Sequence, residues 1–211
     1  MNKTPHFCDT CFSEFKIPES TKINANTLIG EEDSAQTCHL GNIYTPFYYA
    51  KPLSKAVLGL KYSQSGMAAS ALAPFMAKCL GQGEDLINRW DYIIPVPLTK
   101  RRQRERGYNQ ALLLAREVSK LAGIEILDNM LVRIKQTKPQ QDMTPDERIE
   151  NQKNAFELGY NTEKESLTGK KILIVDDVIT SGATLNECAK ILRTAGAEHI
   201  DALAIARVEA R

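Results

Sequence analysis

The 211-residue chain lacks an excess of either charge: 27 Lys and Arg stand against 26 Asp and Glu, for a formal net charge of +1. No global field points to nucleic acid or to a membrane surface, so any such role has to come from a local patch. The first residues hold no apolar segment of the signal-peptide kind, and no run reaches membrane-spanning length. A soluble, cytoplasmic protein without membrane insertion is therefore expected. Cysteine is scarce, with five residues, and in such a chain they read as metal ligands, thiols or core residues rather than disulfides. No nucleophilic triad is readable and no internal repeat is present. Position 2 is Asn, not Cys, which argues against an amidotransferase half built on an N-terminal thiol.

What is present fits one domain, or one domain with a small appendage: 43% of residues are hydrophobic and 25% charged, enough for a real core. The organising stretch runs from Ile172 to Thr184. Ile172, Leu173, Ile174 and Val175 read as a buried strand of a parallel sheet. Asp176 and Asp177 follow where that strand should end. Thr180, Ser181, Gly182, Ala183 and Thr184 then form a loop of small residues, and Leu185 opens a helical pattern. A strand, a small-residue loop and a helix N-terminus make an anion site, because the first backbone N–H groups of the helix are free and its dipole favours negative charge. The hydroxyls of Thr180, Ser181 and Thr184 add donors. The two carboxylates can accept hydrogen bonds from sugar hydroxyls or hold Mg²⁺ directly or through water. A ribose 5-phosphate has the required shape. The plainer reading, a strand-to-helix turn with a capping Thr, leaves two adjacent carboxylates at the end of a buried strand without a ligand, which is costly.

Upstream, residues 52–80 read as two helices broken at Ser65-Gly66 and ended by Gly81-Gln82-Gly83. Asp91–Leu98 reads as a short strand that leaves its sheet at Pro97. Five of the seven residues from Lys100 to Arg106 are basic. This run is expected to be a loop at the C-terminal end of a strand, where α/β folds place ligand contacts. Lys100, Arg101 and Arg102 are candidate pyrophosphate contacts, since Arg offers forked donors. Single-stranded nucleic acid is a second reading of the patch, with Arg104 and Arg106 on the backbone and Tyr108 stacking on a base. A helix follows from about Asn109 to Ala122, capped by Gly123. Residues 131–134 suggest a strand. The polar stretch 135–145 is expected to be a mobile loop, with Arg133, Gln140 and Gln141 within reach of a ligand. Asp146–Asn151 suggests a short helix carrying Arg148. Downstream of the organising stretch, Leu185, Ala189 and Leu192 mark a buried helix face that takes in Cys188. Ile200–Val208 is a last apolar strand with Arg207 near its end.

Residues 1–50 read as a small N-terminal hood, separate from a main domain at 51–211. Cys8-Asp9-Thr10-Cys11 is a C-x₂-C knuckle, and Cys38-His39 follows after 26 residues. A knuckle plus two later ligands is how structural Zn²⁺ is held. Cys8, Cys11, Cys38 and His39 are the candidate ligands, with His6 an alternative fourth, although Gly41 stands where a second knuckle would place its cysteine. The competing reading is a degenerate knuckle with free thiols, packed by Phe7, Phe12 and Phe15. Ile43–Ala50 is aromatic-rich and suggests a strand or hairpin arm.

The stretch 172–184 resembles the PRPP-binding signature of type I phosphoribosyltransferases. The segment Asp91–Ala115, with its V-P-L, basic run and R-G-Y-N-Q-A, resembles the ComF branch of that superfamily. So does Asp177–Leu192, with Asn186-Glu187-Cys188-Ala189. The resemblance implies an α/β fold, a mainly parallel sheet flanked by helices under an N-terminal zinc-knuckle hood. It implies that 180–184 wraps a 5-phosphate while Asp176 and Asp177 meet the ribose, with Mg²⁺ bridging diol and pyrophosphate. It also implies a role in natural transformation, handling incoming single-stranded DNA in the cytoplasm beside other competence proteins. Two other functions suit the same site: a metabolic phosphoribosyltransferase that releases pyrophosphate on transfer to a base or amine, and a non-catalytic PRPP-sensing module that binds nucleic acid. The acceptor has no readable motif.

Overall fold

The computed structural model describes residues 8–29, 37–62, 66–81, 89–135, 145–159 and 167–209. The first elements in chain order are α1 (Asp9–Ser13), β1 (Lys22–Asn24), α2 (Asn26–Ile29), β2 (Asn42–Tyr44), β3 (Phe47–Tyr48), α3 (Leu53–Tyr62) and α4 (Met67–Cys79). Then come β4 (Tyr92–Pro95), α5 (Lys100–Arg106), α6 (Gln110–Ala122), β5 (Glu125–Ile126), β6 (Leu131–Arg133) and α7 (Pro145–Gln152). The chain closes with β7 (Phe156–Leu158), β8 (Lys171–Ile179), α8 (Ala183–Thr194) and β9 (His199–Arg207).

Among the described residues the main sheet has seven strands, ordered β1-β2-β9-β8-β4-β5, with β3 also paired to β9. Only the β1–β2 pair is antiparallel; β2, β3, β9, β8, β4 and β5 run parallel. The branched apolar runs in β8 and β9 explain their central place, because strands covered on both faces cannot alternate with polar residues. Ile172, Ile174, Ile200 and Ala202 bury on one face, with Leu185, Ala189 and Leu192 of α8. Leu173, Val175, Leu203 and Ile205 bury on the other, with Val57, Leu72 and Leu114 of α3, α4 and α6. Two layers of helix thus sandwich a mainly parallel sheet, as expected from the sequence. No described helix is long and apolar enough to cross a membrane.

Residues of the 1–50 stretch enter this sheet directly. β2 lies against β9, with Ile43 opposite Ala202, and Phe47 of β3 stands opposite Ala206. The reason is burial: Ile43, Tyr44 and Phe47 are fully covered. A buried carboxylate fixes the opposite edge. Asp201 Oδ1 accepts from the Asn42 backbone N–H at 2.7 Å, and Oδ2 accepts from Trp90 Nε1 at 3.1 Å.

Two expectations need correction. The basic run is not a loop but the helix α5, whose N-cap Thr99 accepts from the Arg102 N–H and whose C-cap Gly107 lies at φ 80°. Lys, Arg and Gln are good helix formers, and Thr and Gly close the two ends. The strand β8 does not stop before Asp176 but runs through both aspartates to Ile179. Its partner β9 stays apolar to Ala206 and keeps pairing, with Asp176 opposite Ala204 and Val178 opposite Ala206.

Candidate functional site

Parallel pairing puts the C-terminal ends of β4, β8 and β9 on one edge of the sheet, the edge at which open α/β sheets hold ligands. The backbone is irregular there. The Asp177 N–H donates to Asp176 Oδ1 at 2.8 Å, and the Val178 N–H donates to Asp177 Oδ1 at 2.9 Å. Strict alternation would send Val178 to the face of Ile174 and Ile179 to the face of Val175. The reverse is found: Ile179 joins the α8 core and Val178 packs on the opposite one. The strand therefore changes face at the two aspartates. Asp177 is 7% exposed. Burial, then the adjacent Asp177 carboxylate, push Asp176 well above the ordinary carboxylate range, while Arg133 pulls it back. Two carboxylates held this way suit a group that shares charge with them, and an oxygen-only donor pair fits Mg²⁺.

The loop after β8 completes the site. Asp176, Val178, Thr180 and Thr184 line a shallow concavity. Gly182 is the N-cap of α8, at φ 72°, and no side chain caps the helix, so its first N–H groups are left for a ligand. Ser181 Oγ is buried with no hydrogen-bond partner among the described residues. A bound phosphate oxygen would satisfy it. The 1–50 stretch reaches over this loop. A Cβ on Gly182 would stand 2.9 Å from Ile29 Cγ1 of α2. Further along α8, the Asn186 side chain accepts from the His39 N–H at 2.7 Å and donates to the Thr37 carbonyl at 3.0 Å.

The basic helix divides its cations. Lys100, Arg101 and Arg104 are exposed, and Arg101 pairs with Glu105 at 2.7 Å. Arg102 is half-buried. Arg106 donates to Gln110 Oε1 at 3.2 Å. Tyr108 is half-buried, and its hydroxyl is covered and without a hydrogen-bond partner among the described residues. Arg133 stands between the two halves of the site. Its backbone bridges Thr99, and its Nη2 donates to Gln152 Oε1 at 3.0 Å. Burial first, then Arg102, lower its pKa, while Cys188 and Asp176 act the other way. Gln152 carries no sequence signal beyond being a polar residue at the end of a short helix. Gln140 and Gln141 lie outside the described residues, as does the side chain of Arg148. Arg207 is a structural tie: it is 6% exposed, donates to Thr45 Oγ1 and the Ser20 carbonyl, and lies over the Tyr48 ring.

The four candidate zinc ligands are not brought together. Cys8 caps α1 and Cys11 lies on it; Phe12 of α1 stacks on Phe75 of α4, and Phe15 just beyond it packs on Phe47, both in the core on the α3–α4 face. The Cys11 N–H donates to Cys8 Sγ at 3.4 Å. Cys38 packs on the opposite core, beside α8, and burial raises its thiol. Among the described residues no three His, Cys, Asp or Glu gather as a metal site. As arranged, these four do not fit one tetrahedral ion; His6 lies outside the described residues. The physical reason is that spacing along the chain does not say which face of the sheet each ligand pair packs on. Cys188 is fully buried in the core, as expected.

A parallel α/β sheet with an acidic pair, a small-residue loop and an uncapped helix at its C-terminal edge defines a phosphoribosyltransferase-type domain. Consistent with this, the family profile described as "Phosphoribosyl transferase domain" matches residues 108–211. Competence protein F of Haemophilus influenzae is 36% identical over 162 residues, which cover 76% of this chain and 70% of that protein. DNA utilization protein YhgH of Escherichia coli is 32% identical over 161 residues, covering 75% and 69%. Competence protein ComFC of Bacillus subtilis is 35% identical over 108 residues, covering 49% and 39%. The chain belongs to the competence protein F family of the phosphoribosyltransferase superfamily.

Proposed function

We propose that this chain binds 5-phosphoribosyl 1-pyrophosphate (PRPP) with Mg²⁺ at the β8–α8 site and acts as a ComF-type competence protein on incoming single-stranded DNA in the cytoplasm, alongside other competence proteins. The observation that carries the ligand is the loop itself: an uncapped helix N-terminus at Gly182 opens on the same concavity as Asp176, and the adjacent Ser181 Oγ is buried with no hydrogen-bond partner among the described residues. In this reading the N–H groups of 181–184, with the hydroxyls of Thr180, Ser181 and Thr184, hold the 5-phosphate. Asp176 and Asp177 accept from the ribose hydroxyls and orient the ring. Asp176 and Asp177 would also hold Mg²⁺, whose charge would offset that of the pyrophosphate. Arg102, with Lys100 and Arg101 beside it, receives the charge that grows on pyrophosphate as the glycosidic bond breaks. No side-chain nucleophile is needed, since positioning and charge stabilisation supply the rate.

The exposed cations Lys100 and Arg104 favour nucleic acid as the larger partner, because exposed charge at a ligand edge costs little to neutralise on a phosphate backbone. The deciding experiment measures pyrophosphate release from PRPP with a panel of bases, ammonia and single-stranded DNA. Release that depends on one acceptor identifies a transferase and names its substrate. PRPP binding without release from any of them identifies a binding module. Failure to bind PRPP at all removes the proposal.

A further inference from the structure

We propose that Asn186 and Glu187 are positioning residues that couple the phosphate cradle to two segments beside it: a phosphate that caps α8 tightens the 37–42 segment through Asn186 and the α7–β7 turn through Glu187. This rests on the phosphate reading of the β8–α8 loop and gives a role to two buried side chains that are not themselves ligand groups.

The two residues are consecutive on α8, and their side chains reach different parts of the chain. Asn186 is 1% exposed and Glu187 4%. Polar groups so deeply covered need partners, and both find them in backbone distant in sequence. Asn186 Oδ1 accepts from the His39 N–H at 2.7 Å, and its Nδ2 donates to the Thr37 carbonyl at 3.0 Å. Glu187 Oε1 accepts from the Asn154 N–H at 2.8 Å, and Lys190 Nζ stands 3.9 Å from the same oxygen. Asn154 lies at φ 53°, the one non-glycine residue at positive φ among the described residues, so its turn has to be held in place. That turn joins α7 to β7 and is flanked by Gln152 and Phe156. Gln152 Oε1 accepts from Arg133 Nη2, and the Arg133 guanidinium lies 5.1 Å over the Phe156 ring. Glu187 therefore ties the cradle helix to a turn that supports a residue of the ligand edge.

The coupling comes from the state of the helix end. The Asn186 N–H closes the first turn of α8 on the Gly182 carbonyl at 2.9 Å, and no side chain caps that turn. A helix end left uncapped frays, and the side-chain ties it carries open with it. A phosphate that accepts from the free N–H groups acts as the missing cap. It holds Asn186 and Glu187 in the helix and makes opening of both ties rarer. The 37–42 segment does not depend on Asn186 alone. The Gly41 N–H donates to the Ile200 carbonyl at 2.8 Å, and the Asn42 N–H donates to Asp201 Oδ1 at 2.7 Å. Losing the Asn186 tie thus loosens the segment without removing it from the sheet.

The test follows the two tied amides by NMR hydrogen exchange in the full-length protein, with and without saturating ribose 5-phosphate. In the wild type the ligand should slow exchange at His39 and at Asn154 by about fivefold or more, the low end of ordinary coupling between sites. Asn186→Ala should lose the ligand effect at His39 and keep it at Asn154, and Glu187→Ala should do the reverse. Glu187→Gln keeps an acceptor for the Asn154 N–H and should retain both effects. Because coupling is reciprocal, Asn186→Ala should also weaken ribose 5-phosphate by about the factor seen at His39. The inference is overturned if the bound ligand leaves one or both wild-type amides unchanged. It is also overturned if each alanine variant keeps both responses or loses both, or if Glu187→Gln behaves as Glu187→Ala does. Should a variant fail to fold, the wild-type exchange decides. If calorimetric titration finds no ribose 5-phosphate bound to the wild type, the phosphate reading itself fails, an outcome seen before any exchange is measured.

Discussion

Asp176→Asn is expected to make the ligand-free protein more stable at neutral pH and, in the same variant, to abolish its stabilisation by PRPP with Mg²⁺. The first half follows from the electrostatics of the empty site. Burial, and then the neighbouring Asp177, raise the Asp176 pKa well above its ordinary range, and the pull of Arg133 only partly opposes them. Between the unfolded value of about 3.9 and the raised folded value, the folded state holds a proton that the unfolded state has lost. Stability therefore falls as pH rises through that window, because the fold disfavours the carboxylate charge. Asn carries no such charge, and its carbonyl can still accept from the Asp177 N–H that now donates to Asp176 Oδ1. The second half follows from ligand chemistry, since Asn is a far weaker partner for a diol or a divalent cation. At a PRPP concentration of 100 times Kd the wild type should gain about 2.7 kcal/mol, or roughly 5–10 °C for a chain of this size. Differential scanning fluorimetry from pH 5 to 8, with and without ligand, reads both effects. A variant that is less stable than the wild type at pH 7, or that keeps the ligand shift, contradicts this view of the acidic pair.

Gly182→Val should remove the response to PRPP and also destabilise the protein by about 2–4 kcal/mol, from an unfavourable left-handed backbone and an overpacked contact. Gly182 lies at φ 72°, where a β-branched residue is strained, and its Cβ would approach Ile29 Cγ1 to 2.9 Å. Either the loop moves or α2 does, and the phosphate cradle loses its shape in both cases. Ile29→Ala in the same chain removes the clash but not the backbone strain. The double variant should therefore recover part of the stability and little of the ligand shift. Denaturant unfolding with and without PRPP distinguishes these terms. Wild-type affinity in Gly182→Val would show that the loop is not the phosphate site.

The organising stretch was legible because its chemistry is local. Four branched residues declare a buried strand, and hydroxyls with Gly and Ala before a helix declare an anion loop. The change of face at Asp176 and Asp177 was not legible. It depends on β9 pairing past the aspartates and on two backbone N–H groups turning to carboxylates. The helix α5 left its signals in Thr99 and Gly107, but a dense basic run reads first as charge and only second as a capped helix. The strands of the 1–50 stretch have two or three residues, too few for any period to emerge. The separation of Cys8 and Cys11 from Cys38 and His39 is a matter of opposite sheet faces, which only the tertiary fold decides. The same holds for Arg133, whose setting is made by Thr99, Gln152 and Phe156, residues distant in the chain that carry no common motif.

The central claim is that one site takes a ligand with phosphate at both ends of a ribose. Calorimetric titration of the wild-type protein with PRPP and Mg²⁺, beside ribose 5-phosphate and pyrophosphate, tests it most directly. The account predicts one PRPP per chain, bound more tightly than either fragment and lost in Asp176→Asn. No PRPP binding, or PRPP bound no more tightly than ribose 5-phosphate, would contradict it.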